Sequence, residues 1–243
     1  MRKAFIVSVL FSTSTFTLWA QTNTPAAPSA KTGTGAKAPV HHPAAGNPTA
    51  IIDTTVGRMT CTLFPDKAPI GVANFIGLAT GTKDWTNPVS HVTKRNTPLY
   101  DGTIFHRVIP GFMIQGGDPA GNGTGDPGYK FKNEVASDLT FDRPGRLAYA
   151  NSGPDTNGAQ FFITEVATPH LNGNYTIFGQ CDDATVALVK QITHMATDPS
   201  NDRPFRPVKI IHVKIVSEAA TAAKPAATAN PAAKKPAAPS SPN

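Results

Sequence analysis

The sequence predicts a mainly β domain: a closed eight-stranded antiparallel β-barrel capped by two α-helices. Three observations carry this expectation. About eight short runs alternate apolar with polar residues, the period of a strand with one buried face. Most runs are joined by short turns instead of helical crossovers, which suits antiparallel pairing. Two other segments carry helix caps and an apolar stripe. A set of such strands hides its edges best by closing on itself, and the helices can plug the open ends.

Ala50 to Asp53 and Arg58 to Phe64 read as a hairpin around Thr54-Thr55-Val56-Gly57, with Met59, Cys61 and Leu63 on one face. A helix follows. Asp66 is its expected cap, Pro69 suits an early helical position, and Gly81 can close it. Val72, Phe75, Ile76 and Ala79 form its apolar stripe. Thr82 to Tyr100 has no clear period and reads as a long loop. Ile104 to Ile109 and Phe112 to Gln115 read as strands around Pro110-Gly111, and Gly116 to Gly128 as an irregular loop. Further strands are expected near Arg146 to Ala150, Gln160 to Glu165 and Thr176 to Cys181. Asp182-Asp183 then caps a second helix with Val186, Leu188, Val189 and Ile192 apolar, and Val208 to Val216 is the last strand.

This domain occupies residues 49–217. Residues 1–20 read as a signal peptide: basic Arg2-Lys3, an apolar stretch to Leu18 that is short of the roughly 20 residues of a membrane span, and Ala20 for cleavage. Export to the periplasm or medium follows, with an uncleaved anchor as the second reading. Residues 21–48 and 218–243 are rich in Ala and Pro, lack large apolar side chains, and are expected to stay disordered. The net charge of +6 lies entirely in these ends, on Arg2, Lys3, Lys31, Lys37, Lys224, Lys234 and Lys235 against Glu218. The domain is therefore formally neutral, and no specific nucleic-acid partner is expected.

Cys61 and Cys181 form no C-x-x-C motif, so no metal site is expected. They either pair in an oxidising compartment or serve as small buried hydrophobes. Gly123 to Gly128 fits G-x-G-x-x-G but lacks a preceding strand and a following helix, so no dinucleotide or other cofactor is expected. The sequence has no Walker lysine and no nucleophile elbow.

The dense segments are Phe105-His-Arg-Val-Ile-Pro-Gly-Phe-Met-Ile-Gln-Gly-Gly-Asp118, Leu147 to Gly153, and Asn157-Gly-Ala-Gln-Phe-Phe-Ile163. Phe105 and Arg107 are two apart and should share one strand face, as should Gln160 and Phe162. Together they offer a guanidinium, several amides and an apolar cluster, without a nucleophile or base.

The first and third of these segments resemble the two signature blocks of cyclophilins. Gly57 to Phe64, Asn74-Phe75 and Ile177-Phe178-Gly179 fall in that family's order. The resemblance implies the barrel above and peptidyl-prolyl cis-trans isomerase activity. It implies catalytic roles for Arg107, Gln160 and Asn151, with Arg107 as donor to the substrate. Phe112, Met113, Phe162 and Leu171 would wall the proline pocket. Gln115 and Ala150 would contact the substrate backbone or hold the arginine, and His106 would stand at the rim. His170 and Tyr175 replace the Trp and His of many members, and tight cyclosporin binding is not expected. The implied partners are proline-containing polypeptides, with the chain a monomer and without stable membrane insertion once the signal is removed. The second functional reading is a non-catalytic proline-peptide-binding or chaperone module.

Overall fold

The computed structural model describes residues 46–217. The expected signal peptide, nearly all of the linker and the tail lie outside them. The elements in chain order are β1 (Thr49–Thr54), β2 (Gly57–Leu63), α1 (Pro69–Thr80), β3 (Trp85–Thr86), β4 (Thr93–Lys94), β5 (Arg107–Ile109), β6 (Met113–Gly116), β7 (Arg146–Tyr149), β8 (Phe161–Thr164), β9 (Ile177–Cys181), α2 (Asp183–Thr193), β10 (Thr197–Asp198), β11 (Arg203–Pro204) and β12 (Ile210–Val216).

Eight strands form one antiparallel sheet in the order β12-β1-β2-β9-β7-β8-β6-β5. The expected closed barrel is corrected to an open half-barrel, because its end strands β12 and β5 share no ladder. In place of a ladder, that seam has an isolated bridge, Ile104 with Lys209, and main-chain bonds such as Phe105 N–H to the Val208 carbonyl at 3.0 Å. The sequence around the seam explains this. Pro204 and Pro207 lack the N–H needed to extend a ladder. The strand expected from Ile104 begins only at Arg107.

The β1–β2 hairpin follows its alternation, with Ala50, Ile52, Met59, Cys61 and Leu63 fully buried. Cys61 and Cys181 stand opposite each other on β2 and β9 and form a disulfide, so they are both buried in strands and bonded. The expected cap of α1, Asp66, is not used. The cap position is Ala68, without a side-chain hydrogen bond. The carboxylate of Glu134 takes over, accepting from Ile70 N–H at 3.0 Å and Gly71 N–H at 2.8 Å. Its charge also complements the positive end of the helix. Gly81 closes α1 at φ 76°, where a Cβ would lie 2.8 Å from the Thr97 main chain. At α2 the expected cap holds: Asp182 accepts from Thr185 N–H at 2.8 Å. Within 82–100, expected as loop, β3 and β4 pair, and buried Trp85 donates to the Thr97 carbonyl at 2.9 Å.

The two faces of the sheet bury different clusters. The inner face packs on α1, with the Phe75 ring 5.0, 5.7 and 5.2 Å from those of Tyr100, Phe161 and Phe178. A second cluster contains Met113, Phe141, Ala148, Phe162, Leu171 and Ile177. Adjacent Phe161 and Phe162 enter different clusters, as strand alternation requires. The candidate site is built on the second cluster.

Candidate active site

Strand register assembles the site. Arg107 on β5 pairs with Gln115 on β6, Gln115 with Phe162 on β8, and Phe162 with Ala148 on β7. Residues directly opposite in a ladder put their side chains on one face. A polar pair thus runs straight into the second apolar cluster. Beside this row lies a cavity of about 130 Å³, lined by Arg107, Phe112, Met113, Gln115, Ala150, Asn151, Phe162, Leu171 and Tyr175. Every lining residue is among those expected from sequence.

The other three expected residues lie elsewhere. Gln160 borders a neighbouring cavity of about 330 Å³ that shares Gln115, Ala150 and Asn151. Its Nε2 donates to the carbonyls of Gly123 and Gly125, at 3.1 and 2.8 Å, and its Oε1 accepts from Gln115 Nε2 at 2.9 Å. It therefore links the glycine loop to Gln115. His170 is exposed on a 3₁₀ turn, Pro169–Leu171, its ring 5.6 Å from that of Phe112. His106 is buried and lines neither cavity. Burial lowers its pKa, nearby Asp118 opposes that, and Arg203 adds to it. Phe105 joins the inner core, edge-on to Phe161, so it does not share a face with Arg107 as the two-residue spacing predicts. Regular strand geometry starts only at Arg107.

Three carboxylates absent from the expected site residues support these walls. Glu165, buried, accepts from Gly111 N–H at 2.7 Å and from the Thr193 hydroxyl at 2.8 Å. That fixes the Pro110-Gly111 turn from which Phe112 projects. Asp118, also buried, accepts from the N–H groups of Ala120, Asn122 and Gly123 at 2.7, 2.9 and 2.6 Å and shapes the glycine loop. Asp202 Oδ2 lies 3.3 Å from Arg107 Nε. Asn151 ties two loops together: its Nδ2 donates to the Asn174 carbonyl at 3.1 Å and its Oδ1 accepts from Gly153 N–H at 3.2 Å.

Phe162 is held between rings, stacked on Phe141 at 5.8 Å and edge-on to Tyr175 at 5.6 Å. Phe141 is held in turn by its N–H donating to Asn172 Oδ1 at 2.8 Å and its carbonyl accepting from Thr168 N–H at 2.9 Å, and the next residue, Asp142, pairs with Arg143 at 2.6 Å and with buried Arg146 at 2.7 Å. The Arg143 hydrogen bond is the main cause holding the Asp142 carboxyl at about 2, with burial opposing and Arg146 assisting. A depressed pKa stabilises the fold above the unfolded value and ceases to as pH falls through the folded value. Asp142→Asn should therefore cost about 1 kcal/mol at pH 7, a figure discounted because the carboxylate is partly exposed. Denaturant titrations should show that difference shrinking between roughly pH 4 and 2. A difference independent of pH would disprove the ionic contribution.

The arrangement is one arginine beside an apolar socket with amides at its edge. Residues 49–215 match the model of the family described as cyclophilin type peptidyl-prolyl cis-trans isomerase/CLD. The chain belongs to this family. Among curated relatives of this cyclophilin, peptidyl-prolyl cis-trans isomerase A of Mycobacterium tuberculosis is 52% identical over 168 residues, 69% of this chain and 91% of that one. Peptidyl-prolyl cis-trans isomerase B of Streptomyces anulatus is 49% identical over 167 residues, 68% and 95% of the two chains. A crystal structure of a Cryptosporidium parvum cyclophilin, determined in the presence of the dipeptide Ala-Pro, is similar with a TM-score of 0.58 at 34% identity. It covers 70% of this chain and 99% of that one. The activity of this cyclophilin is thus peptidyl-prolyl cis-trans isomerisation.

Proposed function

We propose that this isomerase acts on X-Pro bonds of exported polypeptides, using Arg107 to favour the twisted imide and no covalent step. The observation that carries this is the position of Arg107, which lines the same cavity as Phe112, Met113 and Phe162. Rotation about a peptide C–N bond costs about 18–20 kcal/mol because conjugation must be broken. In the twisted state the proline nitrogen becomes pyramidal and more basic. A donor aimed at that nitrogen favours the twisted form over both planar ones. The socket of Phe112, Met113, Phe162 and Leu171 holds the proline ring, so the preceding carbonyl is the part that turns. Ala150 and Asn151, at the edge, keep the peptide in register. The amide chain from Gln115 through Gln160 to the glycine loop is already paired within the protein and needs little rearrangement. A hundred-thousandfold acceleration requires about 7 kcal/mol, a fair demand on one charged donor plus orientation.

Export is supported by the basic and apolar start of the sequence and by the Cys61–Cys181 disulfide, a bond that persists in oxidising compartments. Exchange spectroscopy on an Ala-Pro peptide tests the activity. The full chain should raise the cis–trans exchange rate at catalytic concentration. Saturable binding with no gain in rate would instead leave a proline-peptide-binding module.

A further inference from the structure

We propose that Asp202 is a positioning residue for Arg107, and that the turn between β10 and β11 aims the guanidinium into the cavity. The inference rests on the donor role proposed for Arg107 above. Asp202 lies 95 residues from Arg107 in sequence, and its Oδ2 is 3.3 Å from Nε. Nε is the one N–H of the guanidinium nearest the aliphatic stem. Engaging it restrains rotation of the planar head and leaves the two terminal nitrogens for the substrate.

Asp202 is not a drifting surface carboxylate. Its carbonyl accepts from Val108 N–H at 2.9 Å, so its main chain is docked on β5 one residue beyond Arg107. Its own N–H donates to the Asp198 carbonyl at 2.9 Å. The residue adopts φ 58°, a left-handed conformation that glycine would reach with less strain. An aspartate here adds what glycine cannot, an acceptor facing the arginine. The next residue extends the brace. Arg203 Nη1 donates to the Gly121 carbonyl at 2.8 Å, in the loop whose Gly123 and Gly125 carbonyls hold Gln160. One short turn thus connects both polar sides of the site and gives the guanidinium a partner that narrows its orientations toward the cavity.

The test uses Asp202→Gly and Asp202→Asn in the full chain. Glycine keeps the backbone conformation and removes the carboxylate; asparagine keeps an acceptor and tolerates positive φ. Asp202→Gly should lower kcat by about tenfold with KM changed less than about twofold, the mark of lost orientation at the reacting bond. Asp202→Asn should recover most of that loss. In an Arg107→Ala background Asp202→Gly should cost nothing further. The Arg107 Nε–Hε resonance should shift in Asp202→Gly. Wild-type kcat in Asp202→Gly, or the same loss with and without Arg107, would overturn the proposal. If Asp202→Gly does not fold, Asp202→Asn decides by the Arg107 resonance: a shift supports the pairing and an unmoved signal rejects it. Full activity in Arg107→Ala removes the donor role itself, whereas a dead Arg107→Ala with an intact Asp202→Gly removes only the positioning role.

Discussion

Arg107→Ala is expected to lower kcat/KM on an X-Pro peptide by about 10²–10³-fold, the range for removing one preorganised donor from a site where charge develops. Stability should hardly move. The Arg107 side chain is 42% exposed and its ion pair with Asp202 is 40% exposed on the other side. A pair so open to water contributes at most about 1 kcal/mol. Phe105, the neighbour that does belong to the core, is untouched. Loss of rate with retained fold therefore separates chemistry from architecture. Arg107→Lys should fall between the two, because an ammonium supplies the charge without the planar fork that Asp202 can orient. Exchange spectroscopy gives the rates and thermal unfolding the stabilities. Arg107→Ala with activity within about threefold of the wild type would eliminate the donor, leaving the socket and its amides to account for the family's activity.

What the sequence made legible about this site is its face, because alternation is local. Alternation carries Phe162 into the outer cluster while Phe161 enters the core, whereas Gln160, one residue before β8, borders the neighbouring cavity and meets this face through Gln115. The resemblance supplied the residue set, and the cavity lining falls wholly within it. Failures came where a long-range partner overrides a local pattern. Phe105 and Arg107 have strand spacing, yet Ile104 makes only an isolated bridge and the chain is irregular before Arg107, so the two side chains part. Asp66 is a good local cap by type, yet Pro69 has no N–H and that of Ala68 bonds the Phe64 carbonyl, so the helix starts later and Glu134 reaches the N–H groups of Ile70 and Gly71 from across the chain. Glu165 behind Phe112 and Asp202 behind Arg107 carry no local signal at all; each acts only once the strands have placed it. Barrel closure failed for the same reason in reverse. Counting strands says nothing about whether the last can pair with the first, and here prolines near the seam prevent a full ladder.

Removing the Cys61–Cys181 bond should have the largest effect on stability of any change considered. The bond joins residues 120 apart in sequence, and chain-entropy arguments give about 4–5 kcal/mol as the stabilisation from closing so long a loop in the unfolded chain. Against a typical total of about 5–15 kcal/mol that is a large share. The native sheet itself should change little, since β2 and β9 remain paired through their main chains and Cys61 and Cys181 occupy buried positions that alanine also suits. Cys61→Ala/Cys181→Ala is therefore expected to keep its activity at 25 °C, because the cavity residues lie on β5, β6 and β8 and the loops beside them. Its melting temperature should fall by roughly 8–20 °C, at about 2–4 °C per kcal/mol for a domain of this size. The denaturant slope discriminates between explanations. If the bond acts by restricting the unfolded chain, the double variant should unfold with a larger m-value, because its unfolded state exposes more surface. A stability loss with unchanged m would place the effect in the folded state instead. A wild-type stability unchanged by reductant under conditions that break buried disulfides would deny the bond any stabilising role.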